Sequence, residues 1–201
     1  MVAMPFFPTD PKKIRERIRR YERELKRGDR DGYGKRFLLG PLYMLLGDVE
    51  GALASFEWYE AAFPDDGGDP YQYLTWALAL YRGRQWRAAS MKLCHTMLEN
   101  VYLVPHLLGD QPRQLNLWHD LTLAGLGHAL EIPPELLELW STEERAWARR
   151  TSELPAIAQR VSRHIEIYRA LKGEPIGRRR KALLDEAYAL ADLRDLDLDA
   201  L

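Results

Sequence analysis

Five histidines, one cysteine and two basic clusters are the groups in this 201-residue chain whose chemistry could exceed that of a packed scaffold. The histidines are His95, His106, His119, His128 and His164. A helical zinc hydrolase needs His-Glu-x-x-His, which sets two imidazoles one turn apart on one face, and that spacing does not occur. His119-Asp120 and His164 with Glu166 are single neighbours that helix geometry points in different directions. No Gly-x-Ser-x-Gly elbow, Walker-type phosphate loop or dinucleotide fingerprint is present. The sequence therefore predicts no catalytic residue, no metal centre and no cofactor, and a protein that is not an enzyme.

Cys94 reads as a small buried hydrophobe, since a lone cysteine can form neither an internal disulfide nor a thiolate cage. The acidic loop Pro64-Asp65-Asp66-Gly67-Gly68-Asp69-Pro70 lacks the alternating ligand spacing of a calcium loop; it reads as a turn ending in an Asp69 N-cap with Pro70 at the first helical position. Residues 12–27 hold nine Lys or Arg among Glu16, Glu22 and Glu24, while 192–199 is acidic with one Arg. Arg178, Arg179, Arg180 and Lys181 crowd a helix start, where the backbone dipole favours negative charge. Either Glu174 and Asp185 neutralise them or an anion binds.

These groups need elements to position them, and composition says which. With 46% hydrophobic and 29% charged residues, and no apolar run near the roughly 20 residues of a membrane helix, the chain reads as a soluble protein with no membrane association. Met-Val-Ala-Met-Pro-Phe-Phe-Pro at the N-terminus lacks a basic leader, so a cytoplasmic location is expected. Leu, Ala, Glu and Arg dominate and period-2 alternation is missing, which predicts an all-α fold of seven to nine helices in a single domain over residues 1–201.

The first helix spans 9–28, with Ile14, Ile18, Tyr21 and Leu25 as a narrow apolar stripe. Helices follow at about 33–46, 49–63, 70–82 and 85–99. Further along, 114–130 is apolar and helical, 134–150 is one kinked helix or two short ones, and Leu154, Ile157, Val161, Ile165, Tyr168 and Leu171 mark another. The last starts near Pro175, burying Leu183, Leu184, Ala187, Leu190 and Ala191. Six tryptophans serve packing; Trp140 and Trp147, if exposed together, would mark a dimer or partner contact.

Residues 33–66 carry Leu39-Gly40, Tyr43, Gly47 at the turn, Ala52, Phe56 and Pro64. This spacing resembles a tetratricopeptide repeat, in which small residues let two helices approach, aromatics fill the space between them and Pro ends the second helix. The family's pattern starts with Trp three residues before the Leu; Arg36 stands there, with Phe37 adjacent. A weaker copy over about 69–102 repeats Gly47 as Gly83 and Ala52 as Ala88, with Trp76 and Ala79 in place of the Gly and Tyr, and a third from Leu108-Gly109 is degenerate at Pro112.

The resemblance implies antiparallel helix pairs over 33–102, stacked as a short right-handed superhelix. The basic helix 9–28 and residues 103–201, a degenerate repeat followed by helices, would cap its ends. It also implies a concave groove for a protein or peptide partner, lined by Phe37, Pro41, Met44, Tyr73, Ala77, Leu80 and Tyr81. The covering of those residues by the chain's own terminal helices is the bland alternative. Two other readings stand beside it: a nucleic-acid-associated protein using 12–27 and 178–181, and a homo-oligomer whose groove a neighbouring subunit fills.

Overall fold

Asp10 accepts a hydrogen bond from the Lys12 amide at 2.8 Å, and Pro11 supplies a helical φ where no N–H is needed, so α1 (Pro11–Lys26) begins there. The same device starts α4 (Pro70–Arg82), where the Asp69 carboxylate accepts from Tyr71 N at 2.9 Å and Gln72 N at 3.2 Å. The loop 64–69 is thus a turn and a cap. In chain order the other helices are α2 (Lys35–Leu45), α3 (Val49–Ala62), α5 (Trp86–Glu99), α6 (Leu103–Leu107), α7 (Leu126–Leu130), α8 (Pro134–Glu138), α9 (Thr142–Ser152), α10 (Pro155–Leu171) and α11 (Arg178–Ala191). The computed structural model describes residues 6–28, 31, 34–118 and 123–196, and every regular element among them is helical.

Eleven α-helices among the described residues exceed the predicted seven to nine because short pieces replace longer ones. Among the described residues the helix predicted over 114–130 is broken: residues 110–117 have no regular structure, Asn116 has φ 56°, and the helical part is Leu126–Leu130. An apolar composition suited to burial there was read as helix periodicity. Residues 134–150 resolve into α8 and α9. His119 and Asp120 lie outside the described residues, as do Tyr33 and the acidic positions beyond 196.

The chain divides into two units, residues 1–89 with 132–141 and residues 90–131 with 142–201. In the first, α2 and α3 pack together across the turn Leu46-Gly47-Asp48, and both pack on α4; α1 and α8 lie against α2. Gly47 takes φ 72°, a conformation that favours glycine, and Asp48 caps α3 through Gly51 N at 2.8 Å. Gly40 and Ala52 are buried beside Phe56, which stacks on Trp76 with centroids 5.0 Å apart. α4 is buried nearly all round, from Gln72 to Leu80, as befits a central helix. Arg82 donates to the Leu139 carbonyl at 2.6 Å, tying α4 to the segment after α8.

In the second unit α10 packs on α9 and α11, and Ile167, Leu171 and Ala187 form a buried cluster with Leu183, Leu184 and Leu190 beside it. Ala191, expected inside, is exposed. The inner face of α10 is Ile157, Val161, His164, Ile167 and Leu171, so Ile165 and Tyr168 of the predicted stripe are only half-buried. Asn100, fully buried, donates to the Leu123 and Gly125 carbonyls at 2.7 and 3.1 Å and accepts from Tyr102 N at 3.0 Å. Arg160 caps the end of α11 through the Leu190 and Asp192 carbonyls at 2.8 and 2.9 Å.

Candidate functional site

The stripe Ile14, Ile18, Tyr21 and Leu25 seats α1 on its unit, with Ile14 and Ile18 fully buried and Tyr21 and Leu25 half-buried. Where Leu25 leaves the core it meets Leu39 and Tyr43 of α2 and Ala54, Ser55 and Trp58 of α3, around an open cleft of about 210 Å³. Glu22 and Lys26 stand on its α1 side. Tyr43 donates to Glu22 Oε1 at 2.6 Å. Burial first, and then that hydrogen bond, holds the phenol well above its usual range, so it stays a neutral donor. Trp58 is partly exposed and rests edge-on against Phe63 at 5.7 Å.

A basic ridge borders this cleft. Arg15, Arg19, Arg23 and Lys26 follow at spacings of four, four and three, which places them on one side of α1 next to Glu22. All four are exposed, and none has an ion-pair partner among the described residues. Glu24 is engaged elsewhere, by Lys35 Nζ at 2.8 Å, and that hydrogen bond lowers its pKa.

The seven residues predicted to line a groove are placed differently. Pro41, Met44, Tyr73, Ala77 and Leu80 are buried in the core of their unit, and only Phe37 and Tyr81 are half-buried. Tyr73 donates to the Gly67 carbonyl at 3.2 Å and Tyr81 lies edge-on to Trp86 at 4.9 Å. Phe37 meets Tyr59 at 5.7 Å and lies under the Arg36 guanidinium at 4.3 Å. Trp140 and Trp147 are buried, so they present no exposed pair. Trp58 and Trp86 are exposed instead and Trp118 is half-buried, and no periodicity distinguished them from the buried ones.

The cluster 178–181 is largely occupied within its own unit. Arg179 pairs with Glu174 at 3.3 Å and Lys181 with Asp185 at 2.6 Å. Arg180 donates to the Leu171 and Glu174 carbonyls at 3.0 and 2.7 Å. Arg178 has no hydrogen-bond or ion-pair partner among the described residues.

Nucleophile and metal chemistry find little here. Burial pushes the Cys94 thiol up to about 12, which keeps it protonated and inert. Among the described residues no three His, Cys, Asp or Glu side chains are grouped to hold a metal ion. No helix among them is long and apolar enough to cross a membrane. No family model, no curated protein and no solved structure matches this chain.

Proposed function

We propose that this chain is a helical interaction module of tetratricopeptide type whose docking surface is the cleft between α1, α2 and α3. The observation that carries the reading is the juxtaposition of that apolar cleft with the unpaired ridge Arg15, Arg19, Arg23 and Lys26. Its occupant is an amphipathic helical peptide that places one apolar side chain beside Trp58 and acidic residues along the ridge. The cleft suits a Leu-sized or aromatic anchor. Such an anchor supplies affinity through burial, while the exposed cations raise the encounter rate and set orientation.

Packing of α2 on α3 through Gly40, Ala52 and Phe56 supports the reading of these two helices as one tetratricopeptide-type pair. Burial of Met44, Tyr73, Ala77 and Leu80 moves the docking surface away from the family's usual concave face to the α1 side. The module works by holding a partner, without catalysis.

Selection from a displayed library of amphipathic helical peptides tests this. The expected winners carry a Leu or aromatic anchor flanked by Asp or Glu, and they are lost on the Ala54→Arg variant, whose new side chain fills an exposed position in the cleft. Enrichment unaffected by Ala54→Arg would overturn the reading. So would tight, steeply salt-dependent nucleic-acid binding that ignores the same variant, because phosphate contacts need only the cations.

A further inference from the structure

The second unit carries an open cavity of about 470 Å³, within the range of small-ligand pockets. Aliphatic groups of α5, of the 110–118 segment and of α11 form most of its wall, with Trp118, Tyr168 and Tyr188 as its rings. Among the described residues, Glu99 at the end of α5 and His164 on the inner face of α10 bring polar side chains to that wall.

His164 is only 7% exposed, and its imidazole stacks on Tyr168 with centroids 4.1 Å apart. Neither ring nitrogen has a hydrogen bond among the described residues. The imidazole lines the cavity, where a ligand can bond to it. Burial lowers its pKa to about 4, against the opposing pull of Glu99, so the ring is neutral at pH 7 and can accept a proton-bearing donor. The Tyr168 phenol is held above its usual value by burial, and Glu99 supplies a carboxylate to the wall. His95 Nε2 lies 3.5 Å from the Glu99 carboxylate, whose side chain is 38% exposed and has room for a second partner.

Outside the wall, the Arg180 guanidinium covers one face of Trp118 at 4.8 Å from the ring centroid. That cation disfavours a second positive charge beside Trp118 and favours its placement at the Glu99 carboxylate. The ligand's uncharged body then belongs at Trp118.

We propose that this cavity binds a small lipophilic amine, its aryl or alkyl body against Trp118 and Tyr168 and its ammonium between the Glu99 carboxylate and the His164 imidazole. A carboxylate of the same shape meets Glu99 and is repelled, and a neutral analogue leaves Glu99 unanswered. The site lies wholly within the second unit and is independent of the α1–α3 cleft.

Isothermal titration of the full chain at pH 7.5 with tryptamine, indole and indole-3-propionate tests the assignment. Tryptamine is expected to bind at least tenfold more tightly than either analogue. Glu99→Gln removes that preference, the three ligands then binding within a few-fold of one another, and Ala191→Trp, at an exposed position on the cavity's edge, blocks all three. Absence of tryptamine binding, equal or tighter propionate binding, an amine preference that survives Glu99→Gln, or binding that survives Ala191→Trp would each overturn it. Ala54→Arg leaves tryptamine binding intact, so failure here and failure of the peptide reading are separable.

Discussion

A methyl group on the α-carbon of Gly40 would lie 2.1 Å from Cε1 of Phe56, well inside van der Waals contact, and Phe56 itself cannot retreat because it stacks on Trp76 at 5.0 Å. The closeness of α2 and α3 at this point therefore depends on a missing side chain. Gly40→Ala is expected to lose about 1–3 kcal/mol by overpacking, read as a lowered midpoint in urea denaturation. Adding Phe56→Leu, which shortens the opposing side chain, should restore part of that loss. Additive losses in the double variant would show that the two residues do not oppose each other.

Arg36 stands where the repeat pattern has a tryptophan, and it does a comparable packing task by charge. Its Nε donates to Asp66 and its Nη1 to Asp31, both at 2.6 Å, while its plane lies over Phe37 at 4.3 Å and near Phe63 at 5.2 Å. The guanidinium thus pins the turn after α3 to the start of α2. Lysine cannot satisfy two carboxylates and two rings at once, so Arg36→Lys is predicted to cost about 1–2 kcal/mol. A double-mutant cycle of Arg36→Lys with Asp66→Asn should show coupling well above the few tenths typical of surface pairs.

His164 gives the second unit a pH dependence of definite sign. Its folded pKa of about 4 lies below the ordinary 6.5, so the unfolded chain binds the proton more readily. Stability from this group is complete above pH 6.5 and is lost as pH falls towards 4, by up to about 3 kcal/mol for a shift of this size. Thermal melts over that window should show the decline, and His164→Phe should flatten it. A variant melting profile with the same acid slope would place the titration elsewhere.

Much of the fold was legible because local rules and packing agreed. Asp10-Pro11 and Asp69-Pro70 start helices through caps that need no tertiary information, and Gly40, Ala52 and Phe56 form a pattern whose only purpose is close helix contact. The described residues between Asn100 and Gly125 were not legible, since Asn100 ties them through side-chain bonds to carbonyls more than twenty residues away, which no periodicity encodes. The candidate sites were harder still. Met44, Tyr73, Ala77 and Leu80 are apolar because they are core, and a sequence cannot distinguish that from an apolar groove. His164 had a readable signal, its place three residues from both Val161 and Ile167, but Glu99 and Trp118 reach the same cavity only through tertiary packing.

The central claim is that a partner's apolar anchor enters the α1–α3 cleft while its acidic residues meet the α1 ridge. The most direct measurement is the dissociation constant of one selected peptide, followed against salt, for the natural chain, Ala54→Arg, and Arg19→Glu with Arg23→Glu. The account predicts that Ala54→Arg weakens binding more than tenfold at every salt concentration, whereas the charge reversals weaken it chiefly at low salt and flatten the salt dependence. Affinity unchanged by Ala54→Arg, with salt dependence alone governing binding, would contradict it.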